Sequence, residues 1–167
     1  DAAHVGLGGV GSHESSLHDH LAGGGVGVLI GHGFVLTEAH TPFTQRLCDI
    51  HTDIEFIFDK FKPDCMAVEK LFFTTNQKTA IDVAQSRGVT VLSAAKRGVP
   101  VYEYTPLQVK SAVTGFGQAQ KPQVMEMTRR LLGLKDVPRP DDTADALAIA
   151  ICHAHSGCSR LADYYNK

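Results

Sequence analysis

Apolar residues fall along this chain in short groups of changing period, and each group predicts an element. Leu47, Ile50, Ile54, Ile57 and Phe58 recur at helical spacing, with Asp49, Asp53, Glu55 and Asp59 on other faces. They predict a helix that opens at Thr41-Pro42 and closes at Phe61-Lys62-Pro63. Asp64-Cys65-Met66-Ala67-Val68-Glu69 is a short apolar run ending in an acid, as in a strand buried on both faces. Asn76 to Arg87 sets Ala80, Val83 and Ala84 on one side and predicts a helix capped by Gly88. Val89 to Ala94 reads two ways: its β-branching favours a strand, while Ala94-Ala95-Lys96-Arg97-Gly98 resembles a helix end. Val99 to Tyr104 predicts a strand. Thr105-Pro106 opens a helix through Leu107, Val109 and Val113, Gly115-Phe116-Gly117 reads as a flexible joint, and Pro122 starts a helix through Val124, Met127 and Leu131. Ala146 to Ile151 is apolar nearly all round, so that helix is buried. Pro138 and Pro140 end what precedes it, and Asp141 is a good N-cap type.

Residues 1–32 follow no such pattern. Gly and His dominate, and Gly23-Gly24-Gly25 breaks any helix. Val26 to Ile30, with Gly31-His32 as a two-residue turn into Gly33 to Thr37, predicts a hairpin. His13, His18 and His20 suggest a metal, but a polar loop accounts for them as well. Residues 156–167 read as a polar tail. Strands alternating with helices, plus the hairpin, give an α/β fold with a mixed sheet. At 167 residues and 43% hydrophobic content, the expectation is one domain with a real core.

Composition changes this picture little. No apolar run has transmembrane length and no basic-start signal peptide is evident, so a soluble, cytoplasmic protein without a membrane partner is expected. Cys48, Cys65, Cys152 and Cys158 form no CxxC pair and read as small buried thiols. Cys152-His153-Ala154-His155 with Cys158 fits no standard zinc spacing. Charge says more through its distribution than its total of −2: residues 1–69 hold 3 basic and 10 acidic side chains, residues 70–130 hold 9 basic and 3 acidic. A basic block beside acid-rich flanks suits a protein that grips phosphate with one surface and metal with another, although solvated helix faces give similar counts.

The candidate chemistry sits where the last helix begins. Asp142 and Asp145 are three apart, so both carboxylates leave one face. Side by side on a buried helix they repel and are costly to desolvate, and a hard divalent cation such as Mg²⁺ reverses that cost. The helix dipole alone also favours acids in a first turn. Glu69 ends a predicted central strand, the edge where ligands collect in open α/β sheets, and is placed to meet the Asp pair.

Several separate segments resemble the RuvC family of Holliday-junction resolvases. They are Ala67-Val68-Glu69-Lys70-Leu71-Phe72-Phe73; Gln85-Ser86-Arg87-Gly88; Val101 to Lys110; Val113-Thr114-Gly115-Phe116-Gly117; Lys121-Pro122-Gln123-Val124; and Asp142 to Ala150. Order and spacing both agree over about residues 33–155. The resemblance implies an RNase H-like mixed sheet of about five strands flanked by helices. It implies a homodimeric, Mg²⁺-dependent endonuclease that resolves four-way junction DNA, with two ions per subunit and Mn²⁺ as a substitute. It carries Glu69, Asp142 and Asp145 over as metal ligands and Lys110 and Lys121 as residues near the scissile phosphate. Phe72 resembles an aromatic that stacks on junction bases, and the helix from Asn76 resembles the dimer helix. A branch-migration helicase is a partner by resemblance only.

The family's first strand carries Gly-Ile-Asp-Pro-Gly, whose Asp is a metal ligand; here the nearest likeness is Val5-Gly6-Leu7-Gly8-Gly9. Three explanations are open: divergence to a junction-binding dimer with weakened or no cleavage, replacement by Asp19, Glu14 or Asp1, or a reading-frame error over residues 1–32. A nuclease for RNA or linear duplex is a further alternative.

Overall fold

The computed structural model describes residues 41–70 and 77–157. Two parallel strands, β1 (Met66–Glu69) and β2 (Val101–Tyr104), pair in the register Met66 to Val101 through Glu69 to Tyr104. The helices are α1 (Phe43–Phe61), α2 (Gln77–Lys96), α3 (Pro106–Thr114), α4 (Lys121–Leu131) and α5 (Asp141–Gly157). Successive residues of β1 point to opposite faces. Met66 and Val68 join Ile50, Ile54, Phe58 and Ala94 of α1 and α2 in one core cluster. Ala67 joins Tyr104, Val109, Val124, Ala148 and Cys152 in the other, built with α3, α4 and α5. The strands are thus covered on both sides, which explains why β1 reads as continuously apolar. The expectation of about five strands, the hairpin over 26–37 included, lies for the rest outside the described residues.

Local chemistry sets the helix ends. Lys62 takes the left-handed position that closes α1, its N–H bonding the Phe58 carbonyl at 2.9 Å. Thr105 and Gln108 form a capping box on α3 (3.2 and 2.8 Å), with Pro106 in the first turn. On α4, Gly133 at φ 63° is followed by a Leu134 N–H bond to the Arg129 carbonyl, closing the helix with a left-handed residue. The helix over the buried apolar run is α5, and it begins at Asp141 itself, so Asp141 is its first residue and not the residue before it.

Four expectations change. Gly88 does not cap α2: the helix runs through it, and Val89 to Ala94 is helical. The stop is Gly98, at φ 69°, with the Val99 N–H on the Ala94 carbonyl at 3.0 Å and the Gly98 N–H on the Ala95 carbonyl at 3.1 Å. Packing overrides the β-branched propensity: Thr90, Ser93 and Ala94 are buried, and the Ser93 hydroxyl meets His51 Nδ1 of α1 at 2.8 Å. Arg97 clamps the same pair of helices through Glu55 at 2.7 Å and Asp59 at 2.6 Å. The joint at 115–117 is a fixed turn, because the Thr114 hydroxyl accepts the Phe116 N–H at 3.1 Å and Gly115 takes φ 75°. Cys48 is exposed rather than buried, since it stands on the polar side of α1. Helix α5 continues through Ser156, which the sequence assigns to the tail. No helix among the described residues is long and apolar enough to cross a membrane.

Candidate functional site

Both strands run toward the same edge, where Glu69 and Tyr104 stand side by side. Glu69 is the exposed last residue of a strand otherwise buried. Its backbone carbonyl lies 3.4 Å from Arg87 Nε of α2, and the Arg87 guanidinium also pairs with the Glu103 carboxylate. The Lys70 N–H bonds the Tyr104 carbonyl at 2.8 Å, continuing the pairing past the strand end. Arg87 thereby ties α2 to both strand ends. It belongs to a segment the sequence marks by resemblance without a role; a cation opposite an acid-tipped strand edge was the available signal.

The second half of the site is where α4 and α5 begin. Lys121 Nζ lies 3.1 Å from Asp145 Oδ2 and 3.7 Å from Asp141 Oδ2. Partial burial alone lowers the Lys121 pKa. The hydrogen bond from Asp145 and the fields of Asp145, Asp141 and Asp142 outweigh it, and the net shift is upward. Lys121 is therefore an ammonium at neutral pH. These groups are about half exposed, so the pairs contribute little to folding stability and serve chiefly to place charge. Asp141 also pairs with Arg139 at 3.4 Å, a role its reading as a cap did not include.

Lys121 thus joins Asp145 and feels Asp142, a pairing that the spacing of the two acids does not predict. The sequence places Glu69 to meet Asp142 and Asp145, but among the described residues no three His, Cys, Asp or Glu side chains are grouped closely enough to hold one ion. The first-strand position, with its candidates Asp19, Glu14 and Asp1, lies outside the described residues, and so does Phe72. The donors present are nonetheless all hard carboxylate oxygens, which fit Mg²⁺ in chemistry. Lys110 is partly exposed on the face of α3 that carries Leu107, Ser111 and Thr114.

A polar network on the far half of α5 was not anticipated. His153 Nδ1 meets the Tyr104 hydroxyl at 2.7 Å and Nε2 meets Cys65 Sγ at 3.1 Å, with the Tyr102 ring 4.7 Å away. Burial lowers the His153 pKa and raises that of Tyr104 to about 12. Burial, then Asp64, raises that of Cys65, and burial raises that of Cys152 to about 11. These thiols are protonated and unreactive at neutral pH. His155 turns instead to the Ala112 carbonyl at 3.3 Å, so the Cys/His segment of α5 is divided among separate partners.

A family model described as Crossover junction endodeoxyribonuclease RuvC matches residues 16–153. The protein of that name from Desulfitobacterium hafniense is 59% identical over 120 residues, covering 72% of this chain and 73% of the relative. That from Syntrophomonas wolfei is 52% identical over 127 residues, covering 76% and 74%. Among solved structures, Thermus thermophilus RuvC matches with a TM-score of 0.72 at 36% identity, over 92% of this chain and 86% of that one. The T. thermophilus RuvC in complex with Holliday junction substrate matches with a TM-score of 0.71 at 37% identity, over 78% and 79%.

Proposed function

This chain belongs to the RuvC family of crossover junction endodeoxyribonucleases, and we propose from its geometry how its residues carry out that activity. It is a nuclease that resolves Holliday junctions, with an RNase H-like α/β fold and the metal dependence of its family. The family assignment disfavours the alternative of an inactive junction-binding dimer.

The observation that carries the site assignment is an ammonium, Lys121, lodged against Asp145 and Asp141 at the start of α5, on a helix that packs against the Glu69 strand. In this reading Glu69, Asp142 and Asp145 hold the divalent ions, two per subunit, Mg²⁺ or Mn²⁺. Divalent ions held there would supply Lewis-acid activation of a water and charge stabilisation for phosphodiester hydrolysis. Lys121 stands with its charge beside those carboxylates, where it neutralises a non-bridging oxygen of the scissile phosphate. Lys110 holds a neighbouring phosphate, and Phe72 stacks on an unpaired base at the crossover. Arg87 fixes the strand ends that present Glu69.

The homodimer is part of the same proposal. Helix α2 leaves Ile81 (61% exposed) and Leu92 (58%) on one face with Gly88 between them, a face that a second copy covers. A two-fold dimer presents two equivalent cleavage sites to the two opposed strands of a junction. We assign residues 1–167 to one domain whose sheet completes to about five strands. It acts in the cytoplasm, with a branch-migration helicase as a further partner. The test is a synthetic four-way junction in Mg²⁺ with excess linear duplex present. Paired, symmetric nicks that survive the competitor are expected; binding without nicking, or nicking abolished by the duplex, contradicts the reading.

A further inference from the structure

Helix α3 and the turn that follows it each leave one large apolar side chain exposed. Phe116 is 61% exposed and Leu107 is 61% exposed. The segment that carries Phe116 folds back against α3: a Cβ built on Gly117, the next residue, would stand 2.8 Å from Ser111 Oγ and 3.0 Å from Leu107 Cγ. The backbone that carries Phe116 is fixed on every side. Its N–H bonds the Thr114 hydroxyl at 3.1 Å, and its carbonyl accepts the N–H of buried Ala119 at 3.0 Å. Gly115 supplies the left-handed φ of 75° that turns the chain. An exposed ring on a backbone held this way loses little further freedom when it meets a partner.

The surroundings identify the partner. Lys110 shares the Leu107 face of α3, and Lys121 opens α4 five residues after Phe116. Residues 104–125 contain these two lysines and no Asp or Glu, in a chain with 18 acids. Among the described residues the other exposed aromatics, Phe56 and Phe61, stand on α1, where the acids Asp53, Glu55 and Asp59 surround Lys60, whose Nζ already lies over both rings at 5.7 and 5.2 Å. Resting on the nuclease reading, we propose that Leu107 and Phe116 form an apolar contact for junction DNA. The Phe116 ring packs on the sugar and base face of a nucleotide in the strand whose phosphates Lys110 and Lys121 hold. Aromatic contacts of this kind tolerate any base, because every base has a π-face.

Since the sequence contains no tryptophan, F116W introduces a single reporter. Junction affinity is measured by fluorescence anisotropy across salt for wild type, F116A, F116W and K110A, with thermal unfolding as a check on folding. F116A is expected to bind about tenfold more weakly at an unchanged salt slope and unfolding midpoint, because an apolar contact releases no counterions. F116W is expected to retain affinity, with its indole emission quenched as the junction saturates. K110A, in contrast, lowers the slope. Wild-type affinity in F116A, or indole emission indifferent to saturating junction, overturns the proposal while wild-type nicking leaves the nuclease reading standing. Failure of the wild type to prefer and nick the junction overturns both.

Discussion

At the scale of single residues, the site is a problem in placing charge. Lys121 lies among carboxylates that would otherwise repel one another, and their field holds its proton. That ammonium also makes it a counterion for phosphate. Replacing Lys121 with alanine is therefore expected to weaken junction binding and reduce the slope of log Kd against log salt by about 1. An unchanged slope, measured by anisotropy from low to high salt, would return Lys121 to an ordinary surface role. Asp142 and Asp145 were legible in the sequence because helical spacing alone fixes their common face. Arg87 was not, because its partners, the Glu69 carbonyl and Glu103, are brought to it by a strand pairing that no local pattern encodes. The His153 network was hidden for the same reason, with partners 49 and 88 residues away.

At the scale of elements, periodicity located every helix and strand that the structure describes, and α2 shows where it stops being informative. A glycine within a helix costs up to about 1 kcal/mol relative to alanine, and β-branched residues add to that. Burial of Thr90, Ser93 and Ala94 against α1, with the Arg97 clamp outside them, offsets both, and the helix continues for another two turns. Local signals at Gly88 could not reveal α1 on the other side. The outward face of the same helix carries the dimer proposal. Leu92→Asp puts a charge on that face without touching the core. It is expected to convert a dimer to a monomer in sedimentation analysis, and to uncouple the two nicks on a junction. A protein that is monomeric before the substitution contradicts the assignment.

At the scale of the whole molecule, α5 joins two functions: its N-terminal end carries the candidate acids and its later turns carry the core and the half-buried His153. Burial holds His153 neutral to a lower pH than the ordinary 6.5 it has in the unfolded chain. Between those two values the unfolded chain binds the extra proton, so stability present above about pH 6.5 is lost as pH falls through the window. The unfolding midpoint is expected to drop on acidification from pH 7.5 to pH 5, and His153→Gln to drop less over the same range. Equal losses in calorimetry would show that His153 does not govern this response. The charge map has the same large-scale logic. The basic block over 70–130 supplies Lys121, while Asp141 and Asp145 come from its C-terminal flank, so the chain must fold before these two signs meet.

Among the carboxylates of the proposed metal site Glu69 is the most direct test, since it ends a strand while the two aspartates stand on a helix. Glu69→Gln keeps the shape and removes the charge. Cleavage of a synthetic four-way junction in Mg²⁺, measured beside binding in the same samples, is expected to fall by at least about a hundredfold with affinity retained. Cleavage at the wild-type rate would contradict the assignment of Glu69 to the metal site.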